Sequence, residues 1–327
     1  MDSLAISCNL IGKLYGLDGD LLERQYKEHL SGFGHWDQLS HSEDWVLYPD
    51  NIGSRLSIDE TSIANGELYT ILTNKEAKGR KGSLVAMIKG TDVATIREIL
   101  LKMPRRIRWK VREITLDMAP NMEAIAKLCF PSAMQVTDRF HVQKLCYEAV
   151  QEMRIKYRWE ALDQEAIQIS LFKAKGAKYQ SEIFENGDTR KQLLARSRYL
   201  LFKKEKSWSK SQKLRADILF REYPKLKKAY YLSQRLGLIF HQCKFKDVAL
   251  TRLAKWYDEV DRSGFLSFGT VARSIQTHYL NIINFFVNRS TNASAESFNA
   301  KIKAFRNQFR GVRDTKFFLY RVSMIFA

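Results

Sequence analysis

The sequence predicts an α/β fold: a mixed β-sheet flanked by helices, with a large all-helical insertion ahead of its last helices. Three observations carry this. Strand-like apolar runs at 56–63, 68–73 and 83–88 follow one another with turn signals between them, as in a meander. From residue 92 the pattern changes to alternating helix and strand, the mark of crossover units. Between residues 163 and 277 the apolar spacing is helical and strand-like runs are missing.

Taken in order, residues 3–30 read as mostly helix. Ile6, Leu10, Leu14, Leu17 and Leu21 share a face, with an interruption at Gly16 and Gly19. A connection rich in Trp, His and Gly covers 32–49. Asn65-Gly66 separates the first two strands, and both residues tolerate the positive φ that a tight hairpin turn requires. Gly79 and Gly82 punctuate the next connection. Asp92 caps an amphipathic helix through Ile96, Ile99, Leu100 and Met103, which Pro104 ends. Then come a strand at 111–117, a helix at 121–129, a strand at 134–137 and a long helix over 140–162. The order β-β-β-α-β-α-β is the ribonuclease-H-like one. Past the insertion, Gly264 to Gly269 make a break before helices at 270–287 and 292–310. The expected organisation is an N-terminal helical segment and connection (1–50), the first part of the sheet domain (51–162), a basic helical insertion (163–277) and C-terminal helices that complete the sheet domain (278–327).

Composition narrows the partners. The 327 residues are 45% hydrophobic, enough to fold around a core. Lys and Arg number 54 against 36 Asp and Glu, a formal charge of +18. That balance points to nucleic acid, with an anionic membrane surface as the rival partner. No apolar run approaches the roughly 20 residues a membrane span needs, and the start of the chain lacks a secretory pattern. A soluble, non-secreted protein is expected. Cys8, Cys129, Cys146 and Cys243 are scattered without a C-x-x-C pair, so neither a zinc knuckle nor a disulfide framework is indicated. Asn288-Arg-Ser290 and Asn292-Ala-Ser294 match the glycosylation sequon but have no consequence without secretion.

The chemistry lies in the acids. In Leu56-Ser-Ile-Asp59 the apolar positions are 56 and 58, so Asp59 takes the other face with Ser57. In Ile114-Thr-Leu-Asp117 the same parity puts Asp117 beside Thr115. Either Asp alone would serve as an ordinary strand-end cap; two at equivalent positions of strands that this topology sets side by side suggest a site. A third carboxylate comes from a helix in which Ala295, Phe298, Ile302, Phe305 and Phe309 form an apolar stripe. Glu296, Asn299, Lys303, Arg306 and Arg310 form a second stripe beside it, running from acid to base. A solvated surface is the alternative for its basic end. Three carboxylates within about 4 Å would repel by roughly 4 kcal/mol per pair at an effective dielectric near 20. Such a cluster needs cations, and hard oxygen ligands suit two Mg2+ or Mn2+ ions acting in an in-line displacement.

These residues resemble the DDE insertion-sequence transposases of the ISL-three family, in particular an ISAon-one-like subgroup. The resemblance rests on Leu56-Ser-Ile-Asp-Glu-Thr61, Ile114-Thr-Leu-Asp-Met-Ala119, Val136-Thr-Asp-Arg-Phe-His-Val142, Thr291-Asn-Ala-Ser-Ala-Glu-Ser-Phe-Asn-Ala-Lys-Ile-Lys303 and Phe309-Arg-Gly-Val-Arg313. It implies Asp59, Asp117 and Glu296 as the catalytic, metal-holding trio, spaced 58 and 179 residues apart (59 to 117, 117 to 296) with an insertion in the second interval. It implies metal-dependent cleavage and strand transfer at element ends, double-stranded DNA as partner, a homodimer, and a cytoplasmic, nucleoid-associated location. Asp138 and His141 resemble an Asp-x-x-His element of several transposase groups and are accessory candidates. Asp138 shares parity with Val136, unlike the other two acids, and the alternative is a helix cap with His141 packed behind it. Glu60 is expected to point away from Asp59. Within the insertion, Lys203, Lys204, Lys206, Lys210 and Lys213 with Trp208 interleaved are candidate phosphate contacts, the alternative being a solvated face. Members of the broader family carry a Cys-rich zinc segment and a helix-turn-helix ahead of the core. Only about 50 residues precede the core here and no zinc spacing is present, so the expectation is either end recognition by a separate polypeptide or a chain that is the second reading frame of a split element. The rival functions are a nuclease of the same fold without strand transfer and a non-catalytic DNA-binding derivative.

Overall fold

The computed structural model describes residues 2–63, 66–309 and 312–327. In chain order its main elements are α1 (Cys8–Tyr15), α2 (Gly19–Gln25), β1 (Trp45–Leu47), β2 (Arg55–Ser62), β3 (Leu68–Asn74), β4 (Leu84–Lys89), α3 (Val93–Leu101), α4 (Arg105–Arg108), β5 (Glu113–Leu116), α5 (Pro120–Cys129) and β6 (Met134–Thr137). Then follow α6 (Arg139–Ala174), α7 (Arg190–Arg196), α8 (Lys210–Glu222), α9 (Pro224–Gln242), α10 (Lys246–Ser263), α11 (Leu266–Thr277), α12 (Tyr279–Asn288), α13 (Ala293–Asn307) and α14 (Thr315–Phe326). Two compact units divide the chain: residues 1–138 with 288–327, and residues 139–287.

The first unit is built on a six-stranded mixed sheet in the order β1-β4-β3-β2-β5-β6. β1, β4, β3 and β2 pair antiparallel, while β5 and β6 join parallel to β2, as crossovers through α3 and α5 dictate. Both faces are buried. Leu56, Ile58, Ile114 and Leu116 face α3 and α5, where Ile96, Ile99, Leu100, Met122 and Ile125 close the core. On the other face Ile63, Tyr69, Ile71 and Met87 meet Phe298, Ile302 and Phe305 of α13 and Phe318, Leu319 and Val322 of α14. At roughly 1.5–3 kcal/mol per buried large apolar side chain, these two layers dominate the unit's stability. The N-terminal helices dock on α14 through polar pegs: Arg321, fully buried, donates to the carbonyls of Leu4 and Ile6.

The second unit is helical. α6 runs unbroken for 36 residues, with α9 and α11 against it. Its buried ion cluster is Asp188, which accepts from Arg215 Nε (2.8 Å) and from Arg196.

Several boundaries differ from those the sequence suggests. The units divide at 138/139 and 287/288 because α6 continues past 162 without a breaker, where the sequence placed an insertion boundary. β1 and α14 are additional elements. Residues 270–287 hold parts of two helices, since the chain turns at His278. Residues 3–30 split as expected at Gly16, whose φ of 69° ends α1 in the left-handed conformation glycine favours. Asn65 of the first hairpin turn lies outside the described residues.

Candidate active site

β2 passes through the sheet with Leu56 and Ile58 on one face, so Ser57 and Asp59 emerge on the face covered by α13. There Asn299 Nδ2 donates to Asp59 Oδ2 at 2.7 Å, and the other carboxylate oxygen accepts the Glu60 amide at 2.8 Å. Ser57 Oγ donates to Asn292 Oδ1 and to the Thr115 carbonyl, the latter at 3.3 Å. The last registered pair of β2 and β5 is Ser57 with Thr115. Asp59 and Asp117 each lie two residues further on, Asp59 within β2 past the reach of β5 and Asp117 just beyond the carboxyl end of β5. Asp117 Oδ1 accepts the Ala119 amide (2.9 Å), which turns the chain into α5.

Asp138 keeps its parity with Val136, and register shows which face that parity takes. β5 and β6 pair with Leu116 opposite Thr137, so the next position sets Asp117 beside Asp138, and the Asp138 amide donates to the Leu116 carbonyl at 3.0 Å. Asp138 therefore takes the face of Asp117. Polarity misleads here because both faces of β6 are buried, and only pairing with a neighbour tells them apart. Asp138 is 2% exposed, and its Oδ2 accepts the Asn292 amide at 3.3 Å.

The polar stripe of α13 divides. Asn299 is bound to Asp59, and Arg306 Nη1 donates to the Ser62 carbonyl at 2.9 Å. Glu296 and Lys303 are exposed. Glu296 lies one helical turn, about 5 Å along the axis, before Asn299. Arg310 lies outside the described residues. Among the described residues no three His, Cys, Asp or Glu side chains converge as a metal-holding group. The donors are nonetheless all carboxylate oxygens, the chemistry Mg2+ and Mn2+ take. Negative charge also accumulates beside them: burial and the neighbouring Asp117 push the Glu60 carboxyl above its ordinary range, against a hydrogen bond from Asn121. Glu60 thus turns toward α5, away from the Asn299 side of Asp59, as alternation requires.

Behind the acids lies a buried polar clip that the sequence did not disclose. Lys75 Nζ donates to Thr115 Oγ1 (2.6 Å) and to Ser290 Oγ, and lies 3.5 Å from Glu113 Oε1. Asn288 Nδ2 donates to Glu113 Oε2 at 3.1 Å. With Ser57 and Asp138 holding Asn292, the 288–292 turn that launches α13 is fastened to the sheet at successive points. Both asparagines of the sequon-like segment are internal tethers. Glu113 sits below the usual glutamate range: burial opposes its ionisation, but hydrogen bonds from Ser290 and Asn288 and the charges of Lys75 and Arg55 prevail. Burial lowers Lys75 against the pull of Glu113; with three oxygen partners around the ammonium, the charged pair is the state the geometry supports. Its only trace in the sequence was an acid at an otherwise apolar strand start.

The remaining candidates belong to the helical unit. His141 is half-buried in the first turn of α6, edge-on to Phe140. Lys203 and Lys204 are exposed. Trp208 is half-buried, donating from Nε1 to the Leu200 carbonyl (2.9 Å) with its ring 5.5 Å from Tyr230, so it holds the local core together.

A sheet with acids on adjacent parallel strands, one within β2 and one just past β5, in a chain this basic, has the form of an enzyme acting on nucleic acid, and comparison with known families specifies it. The family profile described as Transposase, of the DDE ISL-three type, matches residues 56–322. The chain belongs to that transposase family. No curated protein and no solved structure matches it. Among the described residues no helix is long and apolar enough to cross a membrane.

Proposed function

We propose that this chain cuts DNA at insertion-sequence ends and joins the freed 3′-hydroxyl to target DNA, with Asp59, Asp117 and Glu296 as ligands of two Mg2+ or Mn2+ ions. The observation that carries this is the Asn299–Asp59 hydrogen bond. It anchors the Glu296 helix beside the first of two aspartates carried on adjacent parallel strands. The order β4-β3-β2-β5-β6 supports a ribonuclease-H-like sheet, with β1 added at its edge. Bound there, the ions would activate the attacking oxygen and neutralise the leaving 3′-oxygen.

The residues around them orient and hold. Asn299 fixes the rotamer of Asp59, the α5 turn fixes Asp117, and the buried Asp138 carboxylate secures the start of α13 through the Asn292 amide. Glu296 stands exposed at the edge of the DNA-facing stripe, with Lys303, Arg306 and Arg310 following as phosphate contacts. Lys203 and Lys204 supply further phosphate contacts from the helical unit, and His141 is an accessory contact. Trp208 supports them structurally. The working assembly is a homodimer.

The test is an assay with labelled pre-cleaved ends and supercoiled target in Mn2+. Joined product is expected, and Asp117→Asn should abolish it while leaving the far-ultraviolet circular dichroism unchanged. Undiminished joining by Asp117→Asn would overturn the proposal; cleavage without joining would leave a nuclease.

A further inference from the structure

Residues 102–112, Lys-Met-Pro-Arg-Arg-Ile-Arg-Trp-Lys-Val-Arg, hold six cationic side chains and no acid. Pro104 ends α3 and starts the single turn of α4. One arginine of that turn points inward: Arg108 is 8% exposed and donates to the carbonyls of Met103 (3.1 Å) and Cys129 (2.6 Å). That peg fixes the turn and sends its neighbours outward. Lys102, Arg105, Arg106, Lys110 and Arg112 are all exposed. None of the five forms an ion pair with a carboxylate among the described residues. Trp109 stands 47% exposed among them, with the Arg105 guanidinium 4.2 Å from its ring centroid.

We infer that α4 and its flanks are a second DNA-backbone contact, separate from the acid site and independent of base sequence. Like charges about 8 Å apart repel by roughly 0.5 kcal/mol per pair even in water, and no ion pair among the described residues offsets this. A polyanion does, by releasing its condensed counterions. Trp109 and Arg105 present flat, weakly hydrated surfaces suited to sugar and phosphate. A duplex fits better than an anionic membrane, because one helical turn has no apolar face to insert between lipids. Separation from the acids follows from the strand: Asp117 is five extended residue steps beyond Arg112, about 17 Å. The patch thus holds a stretch of duplex other than the phosphodiester at Asp117. The inference rests on the proposed function only in taking DNA as the polyanion.

The experiment is a salt titration of binding to a random-sequence duplex in EDTA, so that metal and catalysis play no part. Neutralising three phosphate contacts with Arg105→Gln, Arg106→Gln and Lys110→Gln should lower the slope of log K against log salt by about 2.7, at about 0.9 per contact. An equal charge change at exposed Lys244, Lys246 and Lys255 should leave the slope within about 0.5 of the parent. If the triple variant does not fold, Arg106→Gln and Lys110→Gln singly should each lower the slope by about 0.9. An unchanged slope, or an equal fall in the Lys244, Lys246 and Lys255 variant, would overturn the inference. Unchanged DNA binding with lost binding to phosphatidylserine vesicles would overturn it in favour of a membrane. The outcomes are separable: loss of slope without strand transfer leaves the patch standing, whereas strand transfer with an intact slope removes the patch alone.

Discussion

Replacing Lys75 with Met should reverse the acid response of the sheet unit. The substitution keeps the aliphatic stem and deletes the ammonium. Glu113, with 3% of its side chain exposed, then stays buried beside Asn288 and Ser290 without its cation. Removing one partner of a buried pair costs about 3–5 kcal/mol. Since the Lys75 side chain is only 11% exposed, solvent screening discounts this little. For a unit of this size that is a fall in melting temperature of roughly 6–20 °C at neutral pH. In the parent, the Glu113 pKa is depressed on folding, so its contribution is complete above the ordinary value of 4.5 and is lost below it, as pH falls through the lower folded value. In Lys75→Met, burial dominates and raises that pKa above the unfolded value. Stability is then greatest in acid and declines as pH rises through the folded pKa. Between pH 7 and 5 the variant should gain stability while the parent stays level. Glu113→Gln added to Lys75→Met should recover about half the loss at pH 7, a coupling a double-mutant cycle measures. Amide exchange read at β5 and at 288–297 keeps the measurement local in a chain of two units. Equal melting of parent and Lys75→Met, or a double variant no better than the single, would refute the buried-pair account.

Asn299→Ala leaves the fold intact but frees the Asp59 carboxylate, and cleavage should fall about 10–100-fold with a matching loss of Mn2+ affinity by calorimetry. Asp188 in the helical unit is fully buried between Arg215 and Arg196. Burial opposes its ionisation, but these partners hold its pKa below 3.8, so the stability of that unit should decline as pH falls below 3.8 and through the lower folded value, and Asp188→Asn should remove this step from the circular-dichroism titration. Trp208→Ala should cost about 2–3 kcal/mol, at the low end for a half-buried Trp, with the salt slope of DNA binding unchanged; a fall in slope without destabilisation would make it a stacking residue after all.

Much of the site was legible from local pattern. The alternation in Leu56-Ser-Ile-Asp59 and Ile114-Thr-Leu-Asp117 assigned both aspartates to the polar face, since successive strand side chains point oppositely whatever lies beyond the strand. Apolar stripes located α3, α5 and α13, and Asp92, Pro104 and Gly16 marked helix ends, because caps and breakers act within a turn of themselves. The basic run 102–112 was not singled out in the sequence, and only packing decides which of its arginines turns inward.

Tertiary structure decided what depended on distant residues. The face of Asp138 required the register of β6 against β5, which an isolated strand buried on both sides does not encode. The Lys75 clip joins positions 40 to 215 residues apart, contacts with no periodicity to betray them. Trp208 is half-buried because Tyr230 and Phe220 come to it from other turns of chain, and α6 overran its expected end because only packing, not a breaker, defines where that helix matters. Local stereochemistry thus selected the residues of the candidate site. Their faces, partners and exposure followed from chain segments that meet only on folding.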